Sequence, residues 1–364
     1  MSGIRPWATS VRHMNFASPT IGALAAWLEA PGEPEPWVVE TSGSTGRPKR
    51  VQLSRAAVRA SIDLSARRLA GSGRWLLALP ETYVAGINVI TRSLAAGAPP
   101  VLLNDHETFA DAAREVGEGG FVSLVPTQLR RLLDVPADAD ALSGFHTILL
   151  GGGPIDPVLR ERAAAAGLRV VGTYGSAETC GGCVYDGLPL DGVGLAIGTN
   201  GRVRISGPTL FSGYAGEPAL TDEVLVGPSA DSGGTAWFLT SDAGRIDEDG
   251  RLQLLGRIDD MVVTGGVNVP AALVARRLRE HPAVDSAEAL GVPDEEWGQR
   301  VVAFVTFAES AEALTLDELR DWVGQVHPRA WAPRQVVTLR EIPLLGNGKT
   351  DRLALKELAL KEMV

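Results

Sequence analysis

Hydrophobic and polar positions follow two textures along this chain. From residue 37 to about 175, short apolar runs alternate with stretches of helical spacing. The runs predict strands at 75–79, 100–103, 121–125, 147–150 and 169–171, and the stretches between predict helices at 54–69, 85–96, 127–133 and 156–166. Before them, 21–28 has the spacing of a short amphipathic helix. From 195 to 256 the pattern shortens into brief strands at 203–205, 237–240, 244–246 and 252–255, separated by turn pairs such as Gly207-Pro208 and Asp249-Gly250. Beyond 257 it changes again, to a helix near 271–280, strands near 287–290 and 301–307, and a helix at 315–326. Strand–helix alternation with short connections implies an α/β fold. The expected organisation is a large N-terminal layered α/β domain with a β-rich subdomain, residues 1–256, followed by a small C-terminal α+β domain, residues 257–364.

Between the strand patterns at 37–39 and 51–53 lies Thr41-Ser42-Gly43-Ser44-Thr45-Gly46-Arg47-Pro48-Lys49, with four hydroxyls, two glycines and a lysine in nine residues. Glycines let backbone approach a ligand, hydroxyls and free N–H groups donate to oxygens, and lysine adds positive charge. Such a loop suits a polyphosphate. It is not a P-loop: Arg47-Pro48 separates Gly46 from Lys49, and an extended segment follows instead of a helix. By itself it also fits a Ser/Gly-rich surface loop. Glycine-rich turns recur where strands end, at Gly151-Gly152-Gly153-Pro154 and at Gly172-Thr173-Tyr174-Gly175. In open α/β sheets ligands settle beyond the carboxyl ends of strands.

Composition narrows the field. With 364 residues and 45% hydrophobic positions the chain is globular, and its net charge of −10 argues against nucleic acid as the main partner. No apolar run reaches the ~18–20 residues of a membrane span, and the N-terminus lacks an apolar signal core, so a cytoplasmic protein is expected. Cys180-Gly-Gly-Cys183 has the spacing of a redox motif or half a zinc site, but no second pair exists and the five histidines are scattered, so the pairing reads as coincidental.

The phosphate-type loop and the turns after it, in this order, resemble the adenylate-forming acyl-CoA synthetase superfamily. The carrying stretches are Thr41–Lys49, Gly151–Pro154, Thr173-Tyr174-Gly175-Ser176-Ala177-Glu178-Thr179, Thr240-Ser241-Asp242, Gly256-Arg257-Ile258-Asp259-Asp260 with Gly265-Gly266, and Gly348-Lys349 with Arg352. Within the superfamily, 123–129, 83–92 and 181–192 resemble members that act on an aromatic acid with a second carboxylate. The chain is shorter than typical members, mostly before the phosphate loop.

The resemblance implies ATP, Mg²⁺ and coenzyme A as cofactor and co-substrates and a small-molecule carboxylate as acyl donor; it leaves the oligomeric state open. It implies that Thr41, Ser42, Gly43, Ser44, Thr45, Gly46 and Lys49 wrap the phosphates. Gly151, Gly152, Gly153, Pro154, Thr173 and Gly175 would border the adenine, with Tyr174 stacked on it. Glu178 would hold Mg²⁺, and Asp242 and Arg257 would serve the ribose. Lys349 would be the catalytic cation of adenylation, and Asp259 the hinge of a mobile C-terminal domain that later brings Gly265-Gly266 inward. Arg92 and Ser123 would take the second carboxylate, and Tyr83 would line the acid site where relatives usually have His. The segment 267–272 after Gly266, which leads into the helix expected near 271–280, lacks the glutamate usual there and is one residue short of the usual pattern. Further departures are Arg50 for a usual Gly and Ala177 for a usual hydroxyl residue, the latter removing a donor worth roughly 0.5–1.5 kcal/mol.

Overall fold

The computed structural model describes residues 18–41, 48–227, 235–308, 311–345 and 350–361. Ser42 to Arg47 and Gly346 to Lys349 lie outside them, so the tip of the expected phosphate loop and the expected catalytic lysine are not described.

The largest sheet has seven strands in the order Val101–Leu102, Trp75–Leu77, Phe121–Leu124, Thr147–Leu150, Val170–Ser176, Gly181–Tyr185 and Leu188–Pro189. The first five are parallel and the last two antiparallel. Side chains alternate across a strand, so each run supplies both faces. Trp75, Leu77, Phe121 and Leu149 join a core cluster with residues of the helices Arg55–Leu69 and Val84–Ala95. Leu76, Val122, Leu124, Ile148 and Leu150 pack on the opposite face with Phe109, Leu129, Leu142 and Leu159. The result is an α/β/α sandwich.

Local signals explain the helix starts. Ser54 accepts a hydrogen bond from the Ala57 backbone N–H at 3.1 Å, and Asp156 caps Pro157–Ala165 by accepting from Val158 at 2.9 Å. The helices Phe109–Val116 and Pro136–Leu142 escape the sequence reading. Each spans about two turns and buries few residues, too little for a periodic signal.

Two smaller sheets flank this sandwich. One joins Trp37–Thr41, Lys49–Leu53 and Gly213–Tyr214. The other joins Gly194–Ile197, Arg202–Ser206, Leu225–Val226, Trp237–Ile246 and Leu252–Arg257. The expected strands at 237–240 and 244–246 are one strand, Trp237–Ile246, whose pairing with Leu252–Arg257 is irregular between Ala243 and Gly244.

Beyond 257, Met261–Thr264, Val267–Pro270, Val284–Asp294, Gly298–Phe307 and Gln335–Thr338 form a sheet covered by Ala271–Arg279 and Leu316–Gly324. A second cluster on this sheet gathers Phe304, Val337, Leu355 and Ala359, the last two from the helix Arg352–Lys361. After Gly266, the strand Val267–Pro270 leads into the helix Ala271–Arg279, in the place where a helix near 271–280 is expected. Thr264 pairs with Val267 around Gly265-Gly266, whose φ values of 55° and 78° make the two-residue hairpin turn that glycines favour.

Arg130 ties the two regions together. It approaches Asp156 at 3.3 Å and donates to the backbone oxygen of Asp285 at 3.0 Å.

Candidate active site

Thr41 and Lys49 are cross-strand partners, the last pair of the hairpin formed by Trp37–Thr41 and Lys49–Leu53. The expected phosphate loop thus springs from a fixed mouth. Arg50 is exposed and pairs in register with exposed Glu40, which explains how the hairpin accepts it. The Lys49 Nζ lies 5.1 Å from the centre of the Tyr214 ring, within cation–π range. Tyr214 pairs in register with Val51 on the adjacent strand, and its Oη donates to Glu178 Oε1 at 2.8 Å. Burial, with the Glu178 carboxylate beside it, pushes the Tyr214 phenol up, so it remains a donor. The expected phosphate lysine and metal carboxylate therefore meet across a tyrosine that sequence reasoning missed. No local signal marked it, because Tyr214 and Glu178 are 36 positions apart.

Glu178 sits in the short 3-10 turn Ala177–Thr179, directly after the strand Val170–Ser176. The turn is braced from both sides. Thr179 Oγ1 donates to Gly181 O at 2.7 Å, and Cys180, in the left-handed region at φ 51°, has its carbonyl held by Asn88 Nδ2 at 2.8 Å and Ser61 Oγ at 3.2 Å. Ala177 is 4% exposed and packs in the core.

On the other side of this strand end, Tyr174 Oη donates to Asp242 Oδ2 at 2.7 Å. Asp242 pairs in register with Arg257, whose Nη1 is 4.0 Å from Asp242 Oδ1. Burial holds the Asp242 carboxyl above its ordinary range, partly opposed by the Tyr174 hydrogen bond and the Arg257 charge. Burial and Asp242 push the Tyr174 phenol upward. Arg257 also grips the expected hinge residue, with Nε to Asp259 Oδ1 at 2.9 Å and Nη2 to Asp259 Oδ2 at 2.8 Å. The glycine turn follows Thr147–Leu150. A Cβ on Gly151 would lie 2.5 Å from Thr173 Oγ1, so only glycine fits between the two strand ends. Gly152 has φ 80°, and Gly153 and Pro154 complete the turn. Gly175 is similarly required, since its Cβ would meet Gly181 O.

On the acid side, Arg92 lies in the last turn of Val84–Ala95 and is 7% exposed. Its guanidinium carbon is 5.4 Å from the Trp75 ring centre, and Nη2 donates to Tyr185 Oη at 3.2 Å. Its Nε is sealed from solvent without a partner, and no carboxylate reaches ion-pair distance among the described residues. Ser123 is 8% exposed, two residues from Phe121 and so on the sheet face that Trp75 and Phe121 share. Tyr83 is half-buried and immediately precedes the Arg92 helix.

Leu344 bridges Thr350, and Thr350 Oγ1 donates to Glu288 Oε1 at 3.0 Å, so the undescribed Lys349 loop also has a fixed mouth. Glu341 to Leu345 line an open cavity of about 620 Å³ whose other wall includes Leu79, Pro80, Val125 and Gln128, just past the carboxyl ends of two central strands.

Among the described residues no group of three or more His, Cys, Asp or Glu side chains gathers to hold a metal ion. A lone Glu178 still fits Mg²⁺, which is commonly held by one or two carboxylates plus substrate phosphates. Its Oε2 has no hydrogen bond among the described residues. Cys180 and Cys183 are buried free thiols, each pushed up to about 12, chiefly by burial.

Comparison with known proteins agrees with this geometry. The AMP-binding enzyme family matches residues 38–215, and the C-terminal domain of AMP-binding enzymes matches 274–349. A protein of Mycobacterium tuberculosis named probable 2-succinylbenzoate–CoA ligase is 42% identical over 326 residues, covering 87% of this chain and 83% of that one. A 2-succinylbenzoate–CoA ligase of a Geobacillus species is 30% identical, covering 88% and 68%. The solved o-succinylbenzoate CoA synthetase of Bacillus subtilis, in complex with the acyl-adenylate intermediate, superposes with a TM-score of 0.72 at 27% identity, covering 88% of this chain and 68% of that one. The chain belongs to the AMP-binding enzymes, the family that includes the 2-succinylbenzoate–CoA ligases.

Proposed function

We propose that this protein ligates 2-succinylbenzoate to coenzyme A at the expense of ATP, through an acyl-adenylate, as a step of menaquinone biosynthesis in the cytoplasm. The observation that carries the substrate assignment is Arg92, a buried guanidinium with no carboxylate partner among the described residues, on the sheet face shared with Ser123. An aromatic acid with a second carboxylate supplies the missing charge. In keeping with this, no helix of the described residues is long and apolar enough to cross a membrane.

In the first half-reaction the acid's carboxylate attacks the α-phosphate of ATP and pyrophosphate leaves. In the second, the thiol of coenzyme A displaces AMP to give the thioester. Thr41 to Gly46 and Lys49 hold the β- and γ-phosphates. The Gly151–Pro154 turn, Thr173 and Gly175 border the adenine and Tyr174 stacks on it, while its hydroxyl orients Asp242. Asp242 accepts from the ribose hydroxyls and Arg257 donates there. Glu178, oriented by Tyr214, holds Mg²⁺, which when bound neutralises phosphate charge. Lys349 reaches the carboxylate and α-phosphate together and stabilises the charge that gathers between them. Glu341 to Leu345 stand beside the strand ends, which suits the adenylating orientation.

For the thioester step the C-terminal domain, 257–364, rotates about Asp259. What supports this pivot is that Arg257, the proposed ribose donor, donates to Asp259 at 2.9 and 2.8 Å.

The deciding experiment is a carboxylate panel with ATP, Mg²⁺ and coenzyme A, read by mass spectrometry of the thioester. The expected product is 2-succinylbenzoyl-CoA. A preference for plain benzoates or aliphatic acids would replace this reading with another acyl-CoA ligase activity on the same scaffold. Well-folded protein that releases no pyrophosphate with any acid would mean a nucleotide-binding homologue without catalysis.

A further inference from the structure

We propose that Tyr185, backed by Ser65, is a positioning residue that sets the Arg92 guanidinium for the second carboxylate of the acid. The inference rests on the role given to Arg92 above and adds a specificity element that neither the motifs nor the relatives' names assign.

Tyr185 is 2% exposed, at the end of the strand Gly181–Tyr185. Its Oη accepts from Arg92 Nη2 at 3.2 Å and lies 2.9 Å from Ser65 Oγ, itself on the helix Arg55–Leu69 and 1% exposed. The phenol oxygen is thus held from two sides, by the guanidinium and by the Ser65 hydroxyl, and either hydroxyl of the Tyr185–Ser65 pair can donate. The Trp75 ring lies beside the guanidinium, its centre 5.4 Å from the guanidinium carbon.

The other arginine buried as deeply among the described residues, Arg55, donates to the backbone oxygens of Ala30 and Gly32 and lies 3.7 Å from the Glu33 carboxylate. Among the described residues Arg92 makes one hydrogen bond, to a hydroxyl, with five N–H groups to satisfy. The helix C-terminus beneath it offers only a partial negative charge. An arginine kept purely for packing gains nothing from this arrangement. One that waits for an anion gains a fixed direction and retained donors.

The test is steady-state kinetics of wild type, Tyr185→Phe, Ser65→Ala, Arg92→Ala and Tyr185→Phe/Arg92→Ala with 2-succinylbenzoate, ATP and coenzyme A, alongside thermal melts. Tyr185→Phe should raise KM for 2-succinylbenzoate about tenfold, as expected for losing an acceptor to a charged donor. The kcat and the KM for ATP should stay within about twofold, since neither depends on that hydrogen bond. Ser65→Ala should give a smaller rise of the same kind, and it serves as the test if the tyrosine variant melts early. In the Arg92→Ala background Tyr185→Phe should add nothing, because the two act as one unit.

The proposal is overturned if Arg92→Ala raises KM for the acid but Tyr185→Phe does not. Parallel rises in KM for acid and ATP, or additive single effects, overturn it too, since they indicate a merely structural tyrosine. An unchanged acid KM in Arg92→Ala removes the role of Arg92 itself, and the relay with it.

Discussion

On the proposed nucleotide side of the cleft the polar side chains already have one another. Tyr174 donates to Asp242, Arg257 bridges Asp242 and Asp259, and Tyr214 joins Glu178 to Lys49. On the acid side Arg92 is buried, with one hydrogen bond and no carboxylate partner among the described residues. The two halves thus meet their ligands on different terms. On the proposed assignment ATP would exchange existing contacts for new ones, so the net gain per contact would be modest and its own phosphates and metal would carry much of the affinity. An anion reaching Arg92 relieves a cost the free protein bears. That gain is larger, and an acid lacking the second carboxylate forfeits it.

The contrast can be broken at several points. The largest effect should come from Lys349→Ala, a loss of about 10²–10³-fold in the rate of adenylate formation, as for removal of one preorganised donor to a developing charge. Pyrophosphate release with acid and ATP measures it, and an undiminished rate would remove the lysine from the mechanism. Arg92→Ala comes next, with KM for 2-succinylbenzoate up about 10²-fold, the scale of truncating a buried charge that pairs with its ligand. KM for ATP should not move, and a matching rise there would erase the distinction between the two sides. Tyr214→Phe should do the reverse on a smaller scale, raising KM for MgATP about tenfold while sparing the acid, since it removes one hydrogen bond to a carboxylate and keeps the ring under Lys49. Smallest is a pH effect. Burial holds the Asp242 carboxyl above its ordinary range, so as pH falls it protonates before an exposed aspartate would. It then stops accepting from the ribose, and KM for ATP should rise a few-fold toward acid, an effect absent in Asp242→Asn.

Much of the fold could be read from the chain because parallel strands are apolar on both faces. The strands at Trp75, Phe121 and Thr147 stand out as short unbroken runs. The antiparallel Gly181–Tyr185 does not, because Gly-Gly-Cys has the composition of a loop. Those glycines answer to close neighbours, since a Cβ on Gly181 would strike Asn88 and one on Gly182 would crowd Thr173. Val267–Pro270 leads into the expected helix, but as a hairpin strand that the sequence reading did not mark, with Val269 fully buried where its branched side chain belongs. The motif residues could be proposed from the chain because glycine, carboxylate and hydroxyl types recur at fixed spacing in a nucleotide site. Tyr214 and Tyr185 were not, because their partners lie 36 and 93 positions away in sequence. Such links belong to tertiary packing, and no local pattern announces them.

Cys180 and Cys183 are the chain's two cysteines, and both thiols are sealed in the core and pushed up to about 12. A ligase whose acceptor is itself a thiol works among reactive sulfur, including oxidised coenzyme A. Protonated, inaccessible sulfur is a poor nucleophile for disulfide exchange, so the native enzyme stays clear of mixed disulfides with its own co-substrate. The same pair becomes available to an alkylating reagent only when a molecule opens, and the extent of labelling then counts the fraction unfolded.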